Sequence, residues 1–174
     1  MKKALIILIF VILAGCGSNQ PAGDSPAPVS QPKSMAPEFE LARVDGGTLK
    51  SADLKGKVVI VDFWATWCEP CIAEIPNYNK IQETYFAKGV EVLGITVESG
   101  PLASIKPKVE GFQMKYPVVV GDEDVVAGFG GLIGFPTTFI VDKEGRVFKK
   151  YLGMTRNKKE MIEKDIEKLL AEGT

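Results

Sequence analysis

The chain has 174 residues, which is enough for one globular domain together with a targeting segment. It contains no histidine, and this excludes Cys-His and Ser-His catalysis as well as histidine-ligated metal sites. The formal net charge is −1, and it becomes −3 (19 basic against 22 acidic residues) if residues 1–15 are removed. Such a weakly acidic balance gives no support for nucleic-acid binding, for which a basic stripe is typical.

The first 15 residues are predicted to be a lipoprotein signal peptide. Lys2 and Lys3 precede an apolar run of 11 residues, which is too short for a bilayer-spanning helix of ~20 residues. The run ends in the sequence Leu-Ala-Gly-Cys at positions 13–16, which resembles the lipobox of bacterial lipoproteins. That resemblance implies cleavage before Cys16 and a diacylglycerol on its thiol. The alternative is an ordinary secretory signal whose cysteine is incidental.

Residues 16–37 are predicted to be a lipidated, disordered tether, and residues 38–174 a folded domain. The tether lacks the apolar residues that would offset the entropy of ordering, and prolines interrupt it repeatedly. These prolines are Pro21, Pro26, Pro28, Pro32 and Pro37. A flexible linker of about twenty residues spans ~25 Å on average, so it would hold the domain near a membrane surface.

The folded domain alternates between strand and helix patterns. In chain order we predict strands at 39–44 and 48–50, a helical turn at 51–54, a buried strand at 57–63, a helix at 68–88, a strand at 90–97, helical residues at 101–115, a strand at 116–120, a short helix at 125–129, a hairpin of 137–141 with 147–151, and a closing helix. Pro76 is expected to kink the first helix, and Pro107 is a candidate interruption of the second. The charge-rich segment 156–168 is either a docking surface or, as we favour, the solvated face of the closing helix.

The segment 67–71, Trp-Cys-Glu-Pro-Cys, is the strongest indication of chemistry. It follows an apolar strand and opens a helix, where free backbone N–H groups and the helix dipole stabilise a thiolate. Cys68, at the exposed end, is the predicted nucleophile that forms a mixed disulfide, and Cys71, one turn further in, resolves it. Other interpretations are half of a metal site, an inert structural disulfide and a pair of buried thiols.

Two segments resemble the thioredoxin superfamily: 61–71 is similar to its active-site segment, and 134–139, Gly-Phe-Pro-Thr-Thr-Phe, to its cis-proline loop. With the opening hairpin, an insert around residues 98–115 and the lipobox, the chain resembles the TlpA/ResA-like proteins, which are extracytoplasmic and often membrane-anchored. The resemblance covers residues 38–174. It implies a thioredoxin-like α/β sandwich, with a mixed central sheet flanked by helices, an N-terminal β-hairpin and an inserted helical segment.

The resemblance also implies a binding surface around the cysteines. The Phe135–Pro136 peptide bond would be cis and lie beside the cysteine pair, where its backbone pairs with an extended substrate segment. An ordinary loop proline is the alternative. The implied substrate-binding residues are Trp67, Glu69, Pro70, Phe135, Pro136 and Thr137. Cys68 and Cys71 would form the redox disulfide, and neither a metal nor a cofactor is expected.

Two carboxylates are candidates for tuning the cysteines. Asp62, six residues before Cys68, matches an acid that is buried beneath the cysteines of thioredoxins and exchanges a proton with the resolving thiol, although many anchored relatives carry asparagine there. Glu74, three residues after Cys71, matches a glutamate that lines the active-site cavity in the anchored reductases of cytochrome c maturation. The alternatives are a solvent-exposed Asp62 and, for Glu69 and Glu74, acids favoured by the helix dipole.

We therefore predict a monomeric thiol-disulfide oxidoreductase, anchored on the periplasmic side or outer face of the cell membrane through lipid on Cys16. It would reduce disulfides of exported proteins, with apocytochrome c as the first candidate, and a membrane thiol donor such as a transmembrane electron carrier would re-reduce it. One alternative is a general or oxidising disulfide enzyme, or a reductase for copper-site assembly. Another, from a different class, is a non-catalytic binding or metallochaperone lipoprotein.

Overall fold

A computed structural model describes residues 34–172, so the predicted signal peptide, Cys16 and most of the predicted tether lie outside the described residues. Strands and helices in the described part are β1 (Glu40–Ala42), β2 (Thr48–Lys50), β3 (Val58–Trp64), α1 (Glu69–Tyr85), β4 (Val90–Thr96), α2 (Leu102–Gly111), β5 (Val118–Val120), α3 (Glu123–Gly128), β6 (Thr137–Val141), β7 (Val147–Leu152) and α4 (Lys158–Glu172). Short 3-10 turns follow β2 at Ser51–Leu54 and α1 at Phe86–Lys88.

Five strands form one mixed sheet in the order β5-β4-β3-β6-β7. β3 and β5 both run parallel to β4, whereas β6 is antiparallel to β3 and to β7. β1 and β2 form a separate antiparallel hairpin, which is joined to the sheet edge where the Val44 amide donates to the Val118 carbonyl. The predicted α/β fold with a mixed sheet and an opening hairpin is confirmed.

The alternation of side chains along the central strand β3 determines on which side of the sheet Asp62 lies. All seven of its residues are buried, and its side chains alternate between two cores, with Phe63 in one and Trp64 in the other. Tyr78 of α1 and Ile166 of α4 belong to the core that contains Trp64. Asp62, two residues before Trp64, therefore points toward the layer that α1 and α4 form.

The helix boundaries agree with the predicted ones to within about three residues, except that α2 ends at Gly111, four residues before the predicted end at 115. Gly89 ends the first helical region in a left-handed conformation with φ of +85°, as glycine at this position predicts. The possible interruption at Pro107 does not occur, because α2 continues through it from Leu102 to Gly111. Proline removes one backbone hydrogen bond, but Ile105 of the same helix is 1% exposed, and its burial in the core stabilises α2.

The expectation that segment 156–168 is only a solvated face is wrong at two positions. Lys158 is 3% exposed and Asp165 is 9% exposed. Asp165 accepts a hydrogen bond from the Tyr151 hydroxyl and pairs with Lys149. Both charges are buried because partners from other parts of the chain compensate them, which helical periodicity alone does not reveal.

The folded domain extends to Ser34, four residues before the predicted start at Glu38. The Ser34 carbonyl accepts a hydrogen bond from the Val147 amide, and the Ala36 amide donates to Gly145. These bonds attach the chain to the edge of β7. Among residues 34–172, no helix combines the length and apolar character needed to cross a bilayer.

Candidate active site

Cys68 and Cys71 form a disulfide at the N-terminus of α1. Cys68 is the N-cap residue of the helix, and its Sγ accepts a hydrogen bond of 3.3 Å from the Cys71 amide. Pro70 lies in the first helical turn, where its missing N–H would have no partner within the helix. Cys68 is 5% exposed and Cys71 is 1% exposed, so the predicted order of accessibility holds, although Cys68 is less exposed than we expected.

An open cleft with a volume of about 610 Å³ lies beside Cys68. Its lining residues are Trp67, Cys68, Glu69, Pro70, Glu98, Leu132, Ile133, Gly134 and Phe135. Trp67 is 57% exposed and Ile133 is 84% exposed, which gives the cleft an apolar contact surface. The Trp67 indole is held by its Nε1, which donates to the Glu98 carbonyl at 2.9 Å, and by an edge contact with the Phe135 ring.

The Phe135–Pro136 peptide bond is cis, as the family resemblance implied. Pro136 is buried, and its carbonyl accepts a hydrogen bond of 2.8 Å from the Gly153 amide. Thr137 is also buried, and its hydroxyl donates to the Gly134 carbonyl at 2.7 Å. The Pro136 carbonyl and the Thr137 hydroxyl are therefore already hydrogen-bonded within the fold.

The predicted substrate-binding residues thus divide into two groups. Those that line the cleft are Trp67, Glu69, Pro70 and Phe135, and those that lie behind its wall are Pro136 and Thr137. Glu98, which was not predicted from the sequence, lines the cleft because the turn after β4 brings it there. The only sequence signal for Glu98 was its position two residues after the end of β4. An acidic residue there could equally have been an ordinary surface residue.

Asp62 is buried on the sheet face behind α1. Its Oδ1 accepts hydrogen bonds from the Thr138 hydroxyl at 2.9 Å and from the Tyr78 hydroxyl at 3.2 Å. Burial raises the pKa of Asp62 from 3.8 to about 7, against the opposing effects of Lys158 and the Thr138 hydrogen bond. The solvent-exposed alternative for Asp62 is wrong. A carboxyl group that titrates near neutral pH is suited to proton exchange.

Glu74 lies in the interior and pairs with a lysine. Its Oε2 is 2.8 Å from Lys158 Nζ and 3.4 Å from the hydroxyl of Tyr78. Burial raises the pKa of Glu74, and the hydrogen bond and charge of Lys158 oppose that rise. Glu74 is not among the residues that line this cleft, and its carboxylate faces Lys158 of α4.

Three side chains of α1 lie on the helix face that runs from the disulfide to this buried network. Cys71, Glu74 and Tyr78 are spaced at i, i+3 and i+7, and all three are buried on one face of the helix. Tyr78 had no predicted role in the site, and Thr138 was predicted only as part of the loop motif at 134–139. Lys158 gave no signal, since a lysine in a charged helix is normally exposed. In the part of the chain that is described, no group of three or more metal-ligating side chains could hold an ion.

Comparison with known proteins agrees with this geometry. The model of the AhpC/TSA family matches residues 32–150. Thiol-disulfide oxidoreductase ResA of Bacillus cereus is 34% identical over 134 residues, which is 77% of this chain and 76% of the relative.

Two solved structures show the same fold. A thioredoxin-family thiol:disulfide interchange protein from Chlorobium tepidum is 33% identical, with a TM-score of 0.72 over 80% of this chain and 98% of that one. The pneumococcal exposed lipoprotein thioredoxin of Streptococcus pneumoniae is 31% identical, with a TM-score of 0.68 over 76% of this chain and 100% of that one. With its Cys68–Cys71 disulfide, the chain therefore belongs to the AhpC/TSA family and is a ResA-like thiol-disulfide oxidoreductase of thioredoxin fold.

Proposed function

We propose that this enzyme reduces disulfides of exported proteins on the extracytoplasmic side of a membrane. The observation that supports reduction is the residue composition of the cleft: its described lining includes the acidic residues Glu69 and Glu98 and no lysine or arginine. A thiolate at Cys68 would gain no cationic neighbour from these residues. A reduced form that is poorly stabilised lowers the reduction potential, which makes the dithiol a better reductant.

The reaction follows from the positions of the two cysteines. The Cys68 thiolate attacks a substrate disulfide, forms a mixed disulfide and releases one substrate thiolate. Cys71 then gives its proton to the Asp62 carboxylate, and its sulfur attacks Cys68 Sγ. The Cys68–Cys71 disulfide forms, and the second substrate thiolate leaves. Two electrons have passed from the enzyme to the substrate, whose thiolates take up two protons.

The cycle then needs a thiol donor. Each turnover leaves the Cys68–Cys71 pair oxidised, so a membrane dithiol carrier must supply two electrons and two protons to open it.

The lipobox at positions 13–16 and the similarity to an exposed lipoprotein thioredoxin support an anchor on Cys16 and an extracytoplasmic location. The apolar surface formed by Trp67 and Ile133 suits an unfolded, cysteine-containing segment, and the Cys-Glu-Pro-Cys motif followed by Glu74 supports apocytochrome c as the substrate.

The direction of electron flow is tested by the reduction potential of the full-length protein. We expect a value closer to the ~−270 mV of thioredoxin than to the ~−120 mV of a strong oxidant. Equilibration with dithiothreitol redox mixtures, followed by thiol labelling and mass spectrometry, measures it. Glu69→Gln is expected to raise the potential, because it removes a negative charge beside Cys68. A potential above about −180 mV would identify an oxidising enzyme instead.

The substrate is tested by trapping. Cys71→Ser cannot resolve the mixed disulfide, so we expect it to accumulate exported proteins that are covalently linked through Cys68 and released by dithiothreitol. Cys68→Ser is the matched control and is expected to trap almost none, since Cys71 is only 1% exposed. Mass spectrometry of the released proteins distinguishes apocytochrome c from copper-site proteins. If no partner accumulates on Cys71→Ser in intact cells, the proposed reduction of exported proteins fails.

A further inference from the structure

Lys158, the first residue of α4, is a buried cation. Its side chain is 4% exposed, and its Nζ lies 2.8 Å from Glu74 Oε2 and 3.1 Å from the Gly153 carbonyl. Removing an ammonium group from water costs several kcal/mol even when it is paired. The next residue, Lys159, instead pairs with Glu163 near the surface, so the helix does not force a lysine into the interior. The burial of Lys158 therefore points to a role in the site that it contacts.

The contacts of Lys158 join two parts of the redox site. Glu74 lies three residues after Cys71 on α1. Gly153, which accepts a hydrogen bond from Lys158, donates its own amide to the carbonyl of Pro136 at 2.8 Å. One ammonium group thus connects the helix that carries the resolving cysteine to the loop that carries the cis-proline.

Lys158 also distinguishes two buried carboxyl groups, because it pairs directly with only one of them. The Tyr78 hydroxyl lies 3.2 Å from Asp62 Oδ1 and 3.4 Å from Glu74 Oε2, so both carboxyls share it. Two carboxylates that share a site oppose each other's ionisation. The ammonium pairs directly with Glu74, whereas Asp62 accepts hydrogen bonds from neutral hydroxyls. The direct ion pair therefore favours the charged form of Glu74 over that of Asp62.

We propose that Lys158 is a positioning residue for the thiol-disulfide reaction: it pairs with Glu74 as a carboxylate and limits how strongly Asp62, the buried acid that exchanges a proton with Cys71, retains that proton. Asp62 takes the proton of the Cys71 thiol when its sulfur attacks Cys68, and returns it when the disulfide is opened by a thiol donor. This role rests on the proton exchange of the proposed function and not on the direction of electron flow. An oxidising potential would therefore overturn the reductase proposal and leave this one intact.

Charged and titratable groups reach Asp62 from three elements. Glu74 and Tyr78 come from α1, Lys158 from α4, and Tyr116 from the segment before β5. Burial has the largest effect on the pKa of Asp62 and raises it. The charge of Lys158 lowers this pKa, and the charge of Glu74 raises it by a smaller amount. Removing the ammonium of Lys158 therefore displaces the titration of Asp62 to higher pH.

The test compares Lys158→Met, Lys158→Arg and the matched variant Lys159→Met in the full-length protein. The titration of Asp62 is followed by 13C NMR of its carboxyl carbon, which is assigned by its loss in Asp62→Asn. Lys158→Met is expected to raise the midpoint by about one pH unit, whereas Lys158→Arg and Lys159→Met leave it near the wild-type value. The rate at which dithiothreitol reduces the disulfide is measured for Lys158→Met and divided at each pH by the rate for Lys159→Met, which removes the ionisation of dithiothreitol itself. The pH midpoint of this ratio is expected to move upward with the titration of Asp62.

A second variant keeps the test valid if Lys158→Met does not fold. Glu74→Gln combined with Lys158→Met leaves no unpaired buried charge, and it is expected to shift the Asp62 midpoint upward by a smaller amount. A midpoint that is unchanged within error in the variant that folds overturns the proposal. So does a shift in Lys158→Arg as large as that in Lys158→Met, because charge would then not be the cause. A purely structural role would lower the melting temperature without moving the midpoint.

Discussion

Replacing Asp62 by asparagine is expected to raise the free energy of unfolding by about 4 kcal/mol above pH 7 and by almost nothing below pH 3. Burial raises the pKa of this carboxyl from 3.8 to about 7, and that rise corresponds to roughly 4 kcal/mol. Below pH 3 the group is almost fully protonated in both the folded and the unfolded protein. As the pH rises toward 7, only the unfolded protein releases the proton, so the wild type loses stability that Asp62→Asn keeps.

Denaturant unfolding of the oxidised protein between pH 3 and pH 8 measures this difference. Asp124→Asn, at an exposed aspartate in the first turn of α3, is the matched control and is expected to show no such gain. We also expect Asp62→Asn to turn over more slowly, because the Cys71 thiol loses its buried proton acceptor. Parallel stability curves for Asp62→Asn and wild type across this pH range would contradict the assignment.

Replacing Lys158 by methionine is expected to lower the free energy of unfolding by about 3 kcal/mol at pH 7. The substitution leaves Glu74 buried without its counter-ion, and breaking a buried pair from one side is strongly destabilising. Without the ammonium the pKa of Glu74 rises further. A carboxyl whose pKa is higher in the folded than in the unfolded protein loses stability as the pH rises toward that value. The deficit is therefore smallest in acid and grows toward neutral pH.

Two comparisons separate this effect from ordinary loss of packing. Lys159→Met makes the same change at a partly exposed pair with Glu163 and is expected to cost no more than about 0.5 kcal/mol. Adding Glu74→Gln to Lys158→Met removes the unpaired carboxyl and is expected to recover most of the deficit. If the double variant is as unstable at pH 7 as Lys158→Met alone, loss of the methylene packing, and not the uncompensated charge, is the cause.

Short-range patterns were sufficient to predict the secondary structure and the cysteine pair. The apolar run of β3 predicts a central strand, and Gly89 predicts the end of the helical region that follows it. Cys68 and Cys71 were found because the chemistry of a dithiol at a helix N-terminus depends on residues within one turn. The motif at 134–139 located the cis-proline loop, but only by resemblance, since local spacing does not determine its peptide isomer.

The environments of the two carboxyls could not be predicted in the same way. Asp62 and Glu74 were both identified, but we expected Glu74 in the cavity wall. Its partner Lys158 lies 84 residues away along the chain, and the Thr138 hydroxyl lies 76 residues from Asp62. Packing that brings such distant residues together depends on how α4 and β6 are placed against β3, which no periodicity within a single element encodes.

By itself, the sequence determined that this protein carries a redox-active cysteine pair on an α/β domain, because strand, helix and disulfide signals are local. The tertiary structure decided which acid can hold a proton, which residues line the cleft, and that Lys158 is inside. Burial and charge pairing set the pKa of Asp62 and the counter-ion of Glu74. Both depend on the distances between elements that are far apart in the chain, and only the folded protein fixes those distances.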